Sequence, residues 1–149
     1  MLCYTCSYEG SVELVNNALE KKFFVTIEIP VTSLCPCSKA ISNYGAHNQR
    51  GLVTVRVKNT HFFWIEDVIQ LVEKCASSEL FSMLKREDEK FVTEKAYDNP
   101  RFVEDIVREV YSALKAFNPE NPFEYFSVEV ENYESIHTHN AYAFTEYNK

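Results

Sequence analysis

Glycine is scarce in this 149-residue chain, with only three, and proline stops at five. So few breakers between long periodic segments argue against a disordered or linker-rich chain. Positive charge is also in deficit: 15 Lys and Arg face 22 Asp and Glu, a net charge of -7. That balance argues against a general nucleic-acid binder, which carries a basic face. It leaves room for a small anion held by a local cluster of cations. No apolar run approaches the roughly 20 residues of a membrane span. The opening Met1-Leu2-Cys3-Tyr4-Thr5-Cys6 lacks the charged and apolar regions of a signal peptide. The expected setting is the cytoplasm, with neither membrane nor nucleic acid as partner.

What is present is apolar periodicity and aromatic bulk, with 11 Phe and 9 Tyr. Phe23, Val25, Ile27 and Ile29 alternate with polar or outward residues and predict a strand, as do Val53, Val55 and Val57. Ile65, Val68, Ile69 and Val72 have helical spacing. A helical turn is expected over 79–85 and mostly loop over 86–99. Asn99 and Pro100 predict the start of a second long helix, buried through Val103, Ile106, Val107, Val110 and Leu114 and ended by Asn118-Pro119. Phe126, Val128 and Val130 predict a third strand, and residues 141–147 a fourth. The order ββααββ predicts one α+β domain over 1–149, a four-stranded antiparallel sheet with both helices on one face.

Five cysteines, an odd number, suit a reducing compartment better than a disulfide framework. Cys3 and Cys6 form an isolated C-x-x-C without a second pair, a poor metal or redox site. Cys75 continues a helical apolar stripe and reads as a small buried hydrophobe. The chemistry-bearing residues cluster instead between elements. Cys35, Cys37 and His47 lie in "PVTSLCPCSKAISNYGAHNQRG", Glu87, Asp88 and Glu89 in "KREDEK", and Glu134, His137 and His139 in "ENYESIHTHNAYA". In this topology the loops after the first and third strands fall at one end of the sheet. A thiolate, an imidazole and a carboxylate gathered there make a zinc-type set. The plainer alternatives are a structural Cys-Pro-Cys turn and a solvated acidic loop. In an extended segment His137 and His139 would point to opposite faces, leaving one easy ligand.

Beyond this point the particular words matter. "PVTSLCPCSK…YGAHNQRG", "FVED" at 102–105 and "ESIHTHNAYA" at 134–143 together closely resemble the type IB GTP cyclohydrolase I family, from about Phe23 to Tyr147. The resemblance implies a tunnelling-fold unit and hydrolysis of GTP to 7,8-dihydroneopterin triphosphate and formate, the first step of folate and pterin biosynthesis. It implies a divalent metal (Zn²⁺, Mn²⁺ or Fe²⁺) on Cys35, Glu89 and His137. His47 would stand beside the metal as alternative ligand or proton carrier, with Glu134 as a second acid/base group. Glu104 would face the guanine edge, and Lys39 and Arg50 are candidate triphosphate contacts. Members of the family usually carry two such units, and this sequence resembles the second. A partner surface is therefore expected from another copy or from a separate first-half chain. The rival readings are a non-catalytic half, and a tunnelling-fold nitrile reductase with a nucleophilic cysteine.

Overall fold

The alternation over Phe23 to Ile29 is the middle of a 17-residue strand, β2 (Ala18–Leu34), preceded by an antiparallel partner, β1 (Thr5–Val15). Their turn is Asn16-Asn17, both at positive φ (50° and 62°). Two-residue hairpins need this left-handed pair, and asparagine tolerates it. The chain continues through α1 (Pro36–Ile41), β3 (Asn48–Lys58), α2 (Ile65–Cys75), β4 (Ser78–Glu79) and α3 (Arg86–Asp98). It ends with α4 (Val103–Lys115), β5 (Tyr125–Asn132) and β6 (Ala141–Asn148). This computed structural model describes residues 4–58 and 61–149. Cys3, half of the C-x-x-C pair, lies outside the described residues.

The architecture is α+β with one antiparallel sheet, ordered β1-β2-β3-β5-β6, and β4 paired to the β2 edge past the end of β1. It has six strands and four helices where four and two were expected. The expected turn over 79–85 is instead the end of β4 followed by irregular chain. The segment expected as loop is α3. Only Ala96 of that helix is buried, so no apolar stripe announces it. Good helix formers, an acidic first turn (Glu87, Asp88, Glu89) and Lys95 in the last turn sustain it. Asp88 Oδ2 accepts the Lys85 N–H at 3.1 Å, closing the first turn.

Asn99 does not begin α4. Its amide Nδ2 donates to the Ala76 carbonyl at 2.8 Å, and its backbone closes α3. The N-cap of α4 is Phe102, whose N–H reaches Asp105 Oδ2 at 3.0 Å. Burial alone would push the Asp105 carboxyl up. The Phe102 N–H and Arg108 outweigh it and hold the group below the usual carboxylate range. At the other end α4 stops at Lys115, ahead of Asn118, which sits at φ 47°.

The core is a set of rows running across the strands. Val25, Val57 and Phe126 face Tyr147; Ile27, Val55 and Val128 face Thr145; Ile29, Val53 and Val130 face Ala143. α2 and α4 cover this single face through Val68, Val72, Ile106 and Val110, all fully buried. The fourth row changes character: Val31, Gly51, Asn132, Ala141. The fifth is Ser33 beside Gln49. Polar residues thus continue the inward register at the end of the sheet where the Cys35 and His137 loops begin.

Gly51 is required in that fourth row. A Cβ there would stand 2.6 Å from Asn132 Oδ1, inside any real contact distance. The Asn132 side chain crosses this gap and donates through Nδ2 to Ser33 Oγ at 3.0 Å. Gly51→Ala should therefore displace Asn132, break that buried hydrogen bond and cost about 1–3 kcal/mol. Urea unfolding checks this. A midpoint unchanged from wild type would show that Asn132 has another low-energy place to go.

Candidate functional site

The β2–β3 and β5–β6 connections do lie at one end of the sheet, and backbone geometry knits them. Cys35 caps α1, its sulfur 3.5 Å from the Ser38 N–H. Its own N–H donates to the His47 carbonyl at 3.1 Å, and the His47 N–H donates to Ser38 Oγ at 3.2 Å. Tyr133 N–H donates to the Arg50 carbonyl at 2.9 Å, tying the second loop to β3. His47 Nδ1 then meets Ser135 Oγ at 3.0 Å. The loop after β2 and the loop after β5 are thus one unit.

A third segment is fastened to them by the polar end of the core. Asn132 Nδ2 donates to Ser33 Oγ, which donates onward to the Arg101 carbonyl at 2.9 Å. The Arg101 N–H donates to the Leu34 carbonyl at 3.0 Å, and its guanidinium pairs with Glu109. Ser77 holds the other side, accepting the Leu34 N–H at 3.0 Å and donating its own N–H to the Thr32 carbonyl. The start of α4 is therefore fixed one residue away from Cys35.

The outcome is a small pocket of about 170 Å³ whose walls include Cys35, Glu104, Glu134, Gln49, Arg101 and Asn132. Three of the expected site residues, a thiol and two carboxylates from three distant segments, meet there. Gln49 Nε2 donates to Glu134 Oε1 at 3.3 Å. A carboxylate only accepts, which fixes this amide's orientation and leaves Gln49 Oε1 buried without a partner. Asn132 Oδ1 and Arg101 Nε are likewise buried and unpaired.

The other expected residues lie elsewhere. Glu89 is in the first turn of α3, about 12 Å along the helix from Tyr97 at a rise of about 1.5 Å per residue. Lys39 Nζ donates to the Tyr97 carbonyl and sits 4.3 Å from the centre of that ring, joining α1 to α3. His137 and His139 are exposed in a bent rather than extended loop, so they do not diverge. Their rings stack 24° from parallel with centroids 5.4 Å apart. Among the described residues, no three His, Cys, Asp or Glu side chains stand close enough together to hold a metal ion. Arg50 lines a second, larger cavity of about 510 Å³ between the sheet end and α3, sharing Gln49 with the first.

Ser33, Gln49, Arg101 and Asn132 were not anticipated from the sequence. Ser33, Gln49 and Asn132 carried a signal: each continues an apolar alternation with a polar residue. Arg101 carried none. Cys75 behaves as expected, a buried thiol pushed up to about 11 chiefly by burial. No helix among the described residues is long and apolar enough to cross a membrane.

The class the fold defines is α+β with one antiparallel sheet, and a thiol and two carboxylates line a polar pocket at its end. The family follows from comparison. The family model of type I GTP cyclohydrolase folE2 matches residues 1–143. The chain is similar to GTP cyclohydrolase FolE2 of Geotalea uraniireducens (strain Rf4), 56% identical over 98% of this chain and 51% of that protein. It is 54% identical to GTP cyclohydrolase FolE2 of Geobacter sulfurreducens, over 98% of this chain and 54% of that one. For the Thiobacillus denitrificans FolE2 the identity is 54%, over 100% and 53%. The chain belongs to the type I GTP cyclohydrolase FolE2 family, and it spans about half the length of the curated relatives it matches.

α3, which bounds the larger cavity, is held to β4 by Lys95 Nζ on both Glu79 oxygens at 2.6 and 2.7 Å. Burial raises the Glu79 carboxyl, but Lys95, with the backbone and Ser78 hydrogen bonds, outweighs it and the group ends below its ordinary range. A depressed folded-state carboxyl contributes stability above its unfolded value, near about 4.3, and loses it as pH falls through the lower folded value. Hydrogen exchange of α3 amides should therefore quicken in acid before that of α4, once corrected for intrinsic rates. Lys95→Met should remove the pH dependence. If α3 and α4 loosened together in wild type, the Glu79 contact would not be the tether.

Proposed function

We propose that this chain is the metal-bearing tunnelling-fold half of a type IB GTP cyclohydrolase I, converting GTP and water to 7,8-dihydroneopterin triphosphate and formate. The observation that carries this reading is the meeting of Cys35, Glu104 and Glu134 in one pocket. Family membership supports it, as do the backbone bond from Cys35 to His47 in the same loop and the contact of the His47 ring with Ser135.

The donor chemistry fits a divalent metal. A thiolate with imidazole and carboxylate suits Zn²⁺, and Mn²⁺ or Fe²⁺ with more oxygen character. The unpaired buried oxygens of Gln49 and Asn132 mark the pocket as one with acceptor capacity to spare. Cys35, His137 and Glu89 are the residues that would hold the ion. Because no three such groups are gathered among the described residues, a full set requires side-chain movement or a donor from another copy or a first-half chain. When bound, the metal supplies Lewis acidity that makes water nucleophilic near neutral pH.

The chain's own residues then do the rest. Glu104 accepts hydrogen bonds from the guanine N1–H and exocyclic amine, orienting the purine. His47, held by Ser135, and Glu134, held by Gln49, carry protons during opening of the imidazole ring and reclosure to the pterin. Of the two candidate phosphate cations, Lys39 is committed to Tyr97, so Arg50 takes that role. The second reading, a non-catalytic half, is favoured by the same absence of a gathered ligand set. The outer strands β1 and β6 each have one unpaired edge, which suits joining to another unit.

Two outcomes test the reading. Metal analysis should find an equivalent in wild type, most of it lost in Cys35→Ala and most kept in Cys37→Ala. Equal content in all three proteins would remove Cys35 from the ligand set. In a formate assay over several divalent metals, alone and with a first-half chain added, chelation should abolish turnover. Glu104→Gln should keep the metal yet lower kcat/KM by about 10- to 150-fold, one charge-assisted hydrogen bond's worth. No formate under any of these conditions would put the non-catalytic reading first.

A further inference from the structure

The inward register of the sheet does not stop where its helices do. Beyond the row of Val25, β1 and β2 run on as a two-stranded arm, pairing Gly10 with Phe23, Val12 with Lys21 and Leu14 with Leu19. β3 is paired to β2 only from Phe24 onward. Directly opposed residues share a face, so these pairs continue the face that α2 and α4 cover elsewhere. On the arm that face is bare: Val12, Leu14 and Leu19 are 61, 69 and 69% exposed. The opposite face is charged and already paired, Glu9 with Arg56 and Glu13 with Lys22. A second apolar surface adjoins the base of the arm. Phe62 and Trp64, 74 and 62% exposed, meet edge to face ahead of α2, beside clefts of about 290 and 460 Å³. Tyr8 and Phe23 join the two surfaces, since both line the smaller cleft with Phe62. All of this lies away from Cys35, because β2 runs from Ala18 at the arm tip to Leu34 at the candidate site.

Together these side chains present on the order of 700 Å² of apolar surface, close to the roughly 800 Å² that each partner gives to a stable interface. Charge says what covers it. Lys21 is the one charged residue on the inward face of the arm, exposed and without an ion-pair partner among the described residues. Glu66 and Asp67, in the first turn of α2 next to Trp64, are exposed and lack a cation in the same sense. One chain therefore carries both members of a complementary pair, an apolar arm with a lone cation and an aromatic mouth with a carboxylate rim. A two-fold axis sets each against the other twice. We propose that this face is a dimer contact, the arm of each copy lying on the aromatic mouth of the other with Lys21 against Glu66 and Asp67. The contact uses a face of the sheet, leaves the free edges of β1 and β6 open, and does not rest on the GTP reading.

Trp64 is the only tryptophan of the chain, so its emission reports the contact directly. Sedimentation of the whole chain from about 0.1 to 100 µM should show a monomer–dimer equilibrium, the range that interfaces of this area span. Trp64 emission should move to shorter wavelength with the same midpoint. Leu14→Asp should raise the dissociation constant by about 100-fold, because the two-fold axis counts each loss twice. Lys21→Glu should raise it by about tenfold, and adding Glu66→Lys and Asp67→Lys to that variant should restore the dimer, which damage to the fold would not do. Tyr142→Ser, on the outward face of β6, should change neither readout. A monomer at every concentration, or a dimer indifferent to Leu14→Asp with no Trp64 shift, overturns the proposal. So does a Lys21→Glu defect that the charge exchange fails to rescue. A Trp64 shift that appears only when a first-half chain is added gives the face to that chain and overturns the second copy as its occupant.

Discussion

The end of the sheet that carries the candidate site depends on Asn132 lying across Gly51. In the first three rows of the sheet the strands are held by branched and aromatic side chains that fill space and carry no directional demand. In the fourth row a missing side chain lets an amide reach Ser33, and through Ser33 the Arg101 carbonyl. Apolar packing alone would bring α4 to the sheet but would leave its start free to slide or turn. A buried hydrogen-bond chain adds direction, because each donor has one acceptor and pairing elsewhere leaves a desolvated group behind. Arg101 is thereby set against Leu34, and Glu104 comes to rest near Cys35.

Charge is also distributed by position. Several cations are spent on ion pairs away from the sheet end: Lys22 with Glu13, Lys58 with Glu124, Lys95 with Glu79, Arg108 with Asp105. These contacts are partly exposed and each contributes little to stability.

The sheet was readable from the sequence wherever apolar residues alternate, and so were α2 and α4 from their stripes. β1 escaped because its inward residues, Tyr8, Val12 and Leu14, remain exposed, so its pattern lacks the bulk of a core strand. The Asn16-Asn17 turn was the available clue. α3 escaped because a helix held by capping, charge and two tethers carries no periodicity. At the candidate site, loop words pointed to Cys35, His47 and Glu134, and the topology brings their loops to one end of the sheet. Glu104 and Glu134 meet Cys35, while Glu89 stays on α3. Distances between segments that adjoin only after folding are not written in spacing.

The polar chain at the sheet end also bears on how the molecule reaches its native state. The β1–β2 hairpin closes through a two-residue turn, a contact the chain meets quickly. Ser33 and Asn132 are 99 residues apart in sequence, and Ser33 and Arg101 are 68 apart. Closing loops of that length comes late, after nearer contacts have shortened the effective distance. Nascent chain that has made β1, β2 and β3 therefore owns Cys35 and His47 for as long as it takes to synthesise and dock β5. Through that interval Cys35 stands without Glu104 and Glu134, the carboxylates that share its pocket once the fold is complete.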